Sequence, residues 1–134
     1  MNIAQLLFGV DAGLLVLTWM IQTVVYPSFL YLDAGEFKGW HRIYTRSITR
    51  IVFPLMSAQL AMASFAAWKL GGSYWVHGVL VILTWVLTVV VFMPRHSSIQ
   101  ADPTREKMLD LIKWNWVRTA LWTATVIISA WAIF

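Results

Sequence analysis

Four long apolar runs alternate with two polar, basic segments and one short glycine turn. The first run carries Asp11, Thr18 and Gln22 within it and Pro27 near its far end. It is longer than the apolar stretch of about 7–15 residues in a secretory signal and has no basic lead, so it reads as a retained span. The second begins at Ile51 and stops at Gly71-Gly72. The third begins near Trp75, and Pro94 is expected to end it because the residue before a proline leaves the helical region. Asp102-Pro103 reads as an N-cap followed by proline at the first helical position, so the fourth helix is expected to start near Pro103. The expected spans are 4–31, 51–70, 75–93 and 112–133, with polar segments at 33–50 and 94–111. A membrane helix needs about 20 apolar residues, and each run meets that length.

The pattern predicts an all-α fold: an integral membrane four-helix bundle, up-down-up-down, in a single transmembrane domain over 1–134. Orientation follows from the cations of the short loops. Lys38, Arg42, Arg46 and Arg50 lie in the first polar segment, and Arg95, Arg105, Lys107 and Lys113 in or next to the second; the glycine turn has only Lys69 beside it. Both long connections are therefore expected in the cytoplasm, with both termini outside the cell membrane, here a bacterial inner membrane. The four-residue spacing of Lys38, Arg42, Arg46 and Arg50, with Phe37, Trp40, Ile43 and Ile48 between them, reads as an interfacial amphipathic helix leading into the second span. Anionic lipid is its expected partner.

Composition agrees. Hydrophobic residues make up 60% of the chain and charged residues 12%, against about 25% charged in an ordinary soluble domain. Such a chain can neither cover a soluble surface nor stay disordered. There is no cysteine, which excludes disulfides, thiolate catalysis and iron–sulfur clusters. The net charge of +4 lies mainly in the loop segments and does not call for nucleic acid. Most of the nine tryptophans fall near expected span ends, as an aromatic belt requires.

There is also an internal echo. Val24-Val25-Tyr26-Pro27 and Val91-Phe92-Met93-Pro94 close the first and third runs. Tyr44-Thr45-Arg46-Ser47 and Trp116-Val117-Arg118-Thr119 follow them. A parallel duplication of a helical hairpin would give this pattern, and would place Arg46 and Arg118 symmetrically at one mouth of the bundle. Chance similarity in an apolar chain is the alternative.

Ionisable groups inside spans are functional candidates. Asn115, Arg118, Thr119 and Trp122 share one face of the fourth helix. They form either a polar wall for an anionic or carbonyl-bearing ligand, or a snorkelling arginine with its neighbours. Asp11, Thr18, Gln22 and Tyr26 form a similar stripe on the first helix, with Gln22 and Tyr26 level with Arg118. Asp11 is expected to be solvated near the outer surface, and Gln59, Thr84 and Thr88 to be packing groups. His41 and His96 each follow an inward span and can converge, as a general base or as two ligands of a site completed by a carboxylate. No ligand spacing supports metal or haem, so no metal or cofactor is expected.

Several short elements then point to a family. They are Trp19-x-x-Gln22-x-x-x-Tyr26-Pro27, Trp40-His41-Arg42-x-Tyr44-x-Arg46, Pro54, Pro94-x-His96, and Asn115-Trp116-x-Arg118-Thr119-x-x-Trp122. In these the chain resembles the small four-helix membrane proteins of the anthrone oxygenase-like family. The resemblance implies a hydrophobic aromatic substrate, dioxygen, and no metal or organic cofactor. With it, His41 or His96 is expected as base, Arg118 and Arg46 as anion stabilisers, Gln22, Tyr26, Tyr44 and Asn115 as substrate-orienting groups, and Trp122 as a stacking wall. Two other readings stand beside it: a small dimeric transporter, with Asp11 as the membrane carboxylate, and a non-catalytic accessory subunit.

Overall fold

The computed structural model describes residues 1–134 as four long helices joined by tight turns. They are α1 (Ile3–Tyr31), α2 (Ala34–Leu70), α3 (Ser73–Ala101) and α4 (Arg105–Trp131). Each packs against its two neighbours in the cycle α1–α2–α3–α4–α1. The short turns make neighbours antiparallel. One end of the bundle carries the termini and Gly71-Gly72; the other carries Leu32-Asp33, Asp102–Thr104 and most of the cations, and is called the basic end.

Each helix contributes a seam of buried residues at alternating three- and four-residue steps. These are Leu7, Asp11, Leu14 and Thr18 on α1; Met56, Gln59, Ala63 and Ala66 on α2; Tyr74, His77, Val81 and Thr84 on α3; and Leu111, Asn115, Arg118, Trp122, Thr125 and Ser129 on α4. This is the spacing that keeps one face of a helix toward its partners. The interior is more polar, and the exterior more apolar, than in a soluble bundle. Twelve of the 29 buried residues are polar or charged, while Val16, Ile51, Phe53, Trp75, Ile82 and Val90 are exposed. Three helices, α1 to α3, are long and apolar enough to cross a membrane. The fourth, with Arg105, Glu106, Lys107, Asp110 and Lys113 near its start, is not among them.

Pro27, Pro54 and Pro94 are all carried inside helices, contrary to the expectation that Pro94 ends the third run, and Pro27 and Pro94 are each preceded by a widened turn. A proline lacks the N–H needed by the helical ladder, and its ring clashes with the carbonyl four residues back. In α1 the turn Ile21–Val25 widens to a π turn, so that Tyr26 N–H reaches the carbonyl of Ile21. In α3 the turn Thr88–Phe92 does the same, with Met93 N–H on the carbonyl of Thr88. Each π turn ends two residues before its proline, so the internal echo extends to the backbone.

Two other boundaries differ. The basic segment 33–50 is not a separate interfacial helix but the first half of α2, capped by Asp33, whose carboxylate accepts from Glu36 N–H at 2.9 Å. The fourth helix starts at Arg105 with Thr104 as its cap, two residues later than Asp102-Pro103 suggests. The end of α2 is as expected: Gly71 and Gly72 have φ of 66° and 56°, a region costly for any residue with a Cβ.

Small residues fix the packing at the terminal end. Ala63 and Ala66 are fully buried against Leu7, Tyr74 and Val81. Ala63→Leu is expected to destabilise the fold by about 1–3 kcal/mol through overpacking. Ser64→Leu on the exposed face next to it should leave the thermal unfolding midpoint nearly unchanged.

Candidate functional site

A cavity of about 580 Å³ lies at the basic half of the bundle, between α2 and α3. Its size is that of a pocket for a small organic molecule, about 300–1,000 Å³. Tyr26, His41, Tyr44, His96 and Arg118 form its polar wall. The exposed side chains of Phe53, Val89 and Met93 border it on the apolar exterior, and Arg42, Thr49 and Ser97 border it toward the basic end. The cleft thus opens where the apolar surface meets the polar one.

Arg118 decides the electrostatics. It is 6% exposed and belongs to none of the three ion pairs in the structure. Its Nε donates to Asn115 Oδ1 at 3.0 Å and its Nη2 to Tyr26 Oη at 3.2 Å. Its Cζ lies 4.0 Å from the centroid of Phe92 and 5.4 Å from that of Trp122. Asn115 is fixed in turn, because its amide donates to Gln22 Oε1 at 2.7 Å and Gln22 reaches the carbonyl of Ile112 at 3.4 Å. Aromatic faces and amide oxygens attract a cation but do not neutralise it. No carboxylate contacts the guanidinium, the nearest buried one being Asp11 in the other half of the bundle, so the wall favours an anion in the cleft.

From Arg118 a hydrogen-bonded relay leads to the basic end. Tyr26 Oη lies 3.0 Å from His96 Nε2, His96 Nδ1 lies 2.9 Å from His41 Nε2, and His41 Nδ1 lies 2.7 Å from Gln100 Oε1. Gln100 is oriented by its Nε2, which donates to the carbonyl of Lys38 at 3.0 Å. An amide oxygen only accepts, so His41 Nδ1 carries a hydrogen. With neutral imidazoles a single order then remains: Arg118 donates to Tyr26, Tyr26 to His96, His96 to His41 and His41 to Gln100. Stacking holds the rings in place. His41 lies between Phe37 at 4.9 Å and His96 at 5.2 Å, and Phe29 packs against Tyr26, Phe37, His41 and Tyr44.

The residues expected at a site divide into three groups. His41, His96, Tyr26, Tyr44 and Arg118 come together on the cleft wall. Gln22 and Asn115 stand behind Arg118 and orient it without lining the cleft. Arg46 and Trp122 do not take their expected places. Arg46 points to the exposed face of α2, so the symmetric pair of arginines does not form. Trp122 is a buried packing partner of Leu14 and Met56, and its ring faces Arg118 rather than the cleft. No third His, Asp or Glu joins His41 and His96 in a metal-binding trio. Gln100, the acceptor at the end of the relay, has one sequence signal: it lies four residues after His96, on the same helical face.

Asp11 and Gln59 also require correction. Asp11 is fully buried, not solvated. Its Oδ2 is 2.7 Å from His77 Nε2, and its Oδ1 accepts from Gln59 Nε2 at 2.7 Å. Gln59 Oε1 accepts from Trp122 Nε1 at 3.3 Å, so Gln59 links two networks and is more than a packing group. Thr84 and Thr88 do bond only to their own helix, to the carbonyls of Val81 and Thr84.

Protein families, curated proteins and solved structures give no match to this chain. Fold and site together define an all-α protein with three apolar candidate membrane helices and a half-open polar-walled cleft.

The relay order can be observed directly. Imidazole ¹⁵N spectra should show both His41 and His96 protonated at Nδ1 and unprotonated at Nε2. Tyr26→Phe removes an acceptor from Arg118 and a donor from His96, and should cost about 1–3 kcal/mol of stability by leaving buried polar groups unpaired.

Proposed function

We propose that this chain is a multi-pass membrane protein, and that its cleft takes a hydrophobic aromatic molecule carrying an acidic hydroxyl and acts on it as a cofactor-independent, oxygenase-like enzyme. One observation carries the reading: a buried guanidinium without a carboxylate stands at the back of an apolar cleft.

The apolar exterior and polar seam suit lipid better than water, and α4 would cross as a fourth span with its polar side chains turned inward. The basic end would face the cytoplasm and both termini the outside, by the bias of cations toward the cytoplasm. The exposed Lys38 and Arg42 would meet anionic lipid there. The cleft mouth then opens sideways into the bilayer at headgroup level, so a lipid-soluble ligand would enter from the membrane, with its polar end toward Arg118.

A ligand hydroxyl beside Arg118 can lose its proton along the relay. Tyr26 takes that proton as it passes its own to His96 Nε2, and His96 passes its Nδ1 proton to His41 Nε2. The products are a ligand oxyanion next to the guanidinium and an imidazolium at His41, near the basic end. Fixed donors aimed at developing charge are an effective catalytic device. On a substrate of the anthrone type the hydroxyl belongs to the enol form. The electron-rich anion then reacts with dioxygen, the ring methylene becomes a carbonyl, and one water is released per dioxygen consumed.

A second reading, a small proton-coupled transporter, draws on the burial of Asp11 in the core. Proteoliposome flux separates the two: a transporter should lose proton-coupled flux in Asp11→Asn, and an enzyme should show none to lose.

The binding reading is tested with 1-naphthol and with naphthalene, which lacks the hydroxyl. Naphthol should bind more tightly, and Arg118→Ala should weaken naphthol at least tenfold, about 1.4 kcal/mol, with little effect on naphthalene. Arg46→Ala should leave both unchanged. Equal naphthol binding by Arg118→Ala and the wild type would overturn the reading. Orientation is tested separately, since the chain has no cysteine to interfere. In intact cells an impermeant maleimide should label Ser73→Cys and spare Asp102→Cys.

A further inference from the structure

A second polar cluster lies toward the terminal end and takes no part in the relay. Asp11 on α1 and His77 on α3 are both fully buried, and their contact of 2.7 Å is the only ion pair in the structure shielded from solvent on both sides. His77 Nδ1 is the one buried side-chain nitrogen or oxygen without a hydrogen-bond partner. Such orphans are rare in native interiors and call for an explanation.

Charge accounting supplies one. Asp11 and Arg118 are the only buried carboxylate and the only buried Lys or Arg. With His41, His77 and His96 neutral, the interior carries one positive and one negative charge, and balances. Neutral His77 donates from Nε2 to Asp11 and keeps a bare lone pair on Nδ1. The two charges are also linked through side chains. Asp11 Oδ1 accepts from Gln59, Gln59 Oε1 accepts from Trp122 Nε1, and the Trp122 ring faces Arg118 at 5.4 Å. Arg118 and Trp122 are four residues apart on α4, about 6 Å along its axis. A hydroxyl ligand brings its own proton, which the relay leaves on His41, so the interior stays balanced; a ligand that enters already ionised leaves one uncompensated negative charge, and the vacant Nδ1 of His77 is a place where a proton can remove it.

We propose that the Asp11–His77 pair is a proton-binding site that loads when a ligand enters the cleft already ionised. The proton adds to His77 Nδ1, giving an imidazolium against the Asp11 carboxylate, and the interior returns to neutrality. Tyr74 on α3 is the only other ionisable side chain buried in the terminal half of the bundle; the buried polar groups there include Gln59 on α2 and Thr125 and Ser129 on α4, and Lys69 is exposed. Binding in one half of the bundle is thereby coupled to protonation in the other. The coupling rests on the cleft being an anion site, as proposed above.

The test uses full-length protein in detergent and 2-naphthoate, an aromatic anion that stays ionised from pH 5.5 to 8.5. Calorimetry in two buffers of different ionisation enthalpy counts the protons taken up per anion bound. The wild type should take up close to one at pH 7.5, and the His77 ¹⁵N signals should move to the doubly protonated position as naphthoate is added. Asp11→Asn and His77→Gln should both abolish the uptake but move affinity in opposite directions. Removing the negative charge at Asp11 should tighten naphthoate binding, and removing the proton acceptor at His77 should weaken it, each by about three- to tenfold for charges this far apart in a partly buried medium. Naphthoate binding by the wild type with no proton uptake, or unchanged uptake in both variants, would overturn the coupling and leave the cleft reading intact. No naphthoate binding by the wild type would overturn both. Should either variant fail to fold, the His77 signals in wild-type protein decide the question alone.

Discussion

A guanidinium cannot give up its proton inside a protein, so Arg118 carries a permanent charge into the middle of the bundle. Much of the basic half is arranged around that constraint. Asn115 accepts from it and is held by Gln22; Tyr26 accepts from it and is held by His96. Phe92 and Trp122 present ring faces to it. Gln22 lies within the π turn of α1, and Tyr26 directly follows it. The widened turn that accommodates Pro27 therefore also sets how two of the arginine's supports are presented.

Division of labour follows from this geometry. Two histidines, two tyrosines and one arginine make up the inner polar wall of the cleft. The residues behind them, Gln22, Asn115 and Gln100, make no approach to a ligand beyond what Gln100 offers at the rim, yet each removes an alternative orientation from a wall residue. Gln100 accepts from His41 while donating to Lys38, and so sets the sense of the whole relay. Fixed orientation of this kind is what a site needs if charge is to develop in it without reorganisation.

Much of this was legible in the sequence, because apolar length and loop charge are local signals. Four helices, the glycine stop and the shared face of Asn115 and Arg118 all follow from spacing along one helix. The convergence of His41 with His96 follows from both lying past the ends of the first and third runs, which close at the same end of the bundle. The failures have equally definite causes. Proline reads as a helix end because a π turn leaves no mark in composition. Asp11 looked solvated because its partners Gln59 and His77 are 48 and 66 residues away, and no local pattern announces them. Arg46 looked equivalent to Arg118 because the four-residue echo gives no helical phase; the structure turns one outward and the other inward. Trp122 shares the face of Arg118, but its indole packs on Leu14 and Met56, neighbours from α1 and α2 that no spacing along α4 announces.

The two π turns lie at equivalent places, each two residues short of a proline, on α1 and α3, which sit diagonally across the bundle; α2 and α4 pass through unwidened. This is the arrangement that two copies of one helical hairpin would make about a common axis. A symmetric pair of identical chains would have to repeat every buried group, and two equivalent guanidinium ions facing one narrow core would repel each other with nothing to offset them. A single chain has no such requirement. Arg118 is kept inside and Arg46 is turned out, and Tyr26 follows one widened turn where Met93 follows the other. An asymmetric interior with a single buried cation is a composition open to a fused pair and closed to a symmetric one.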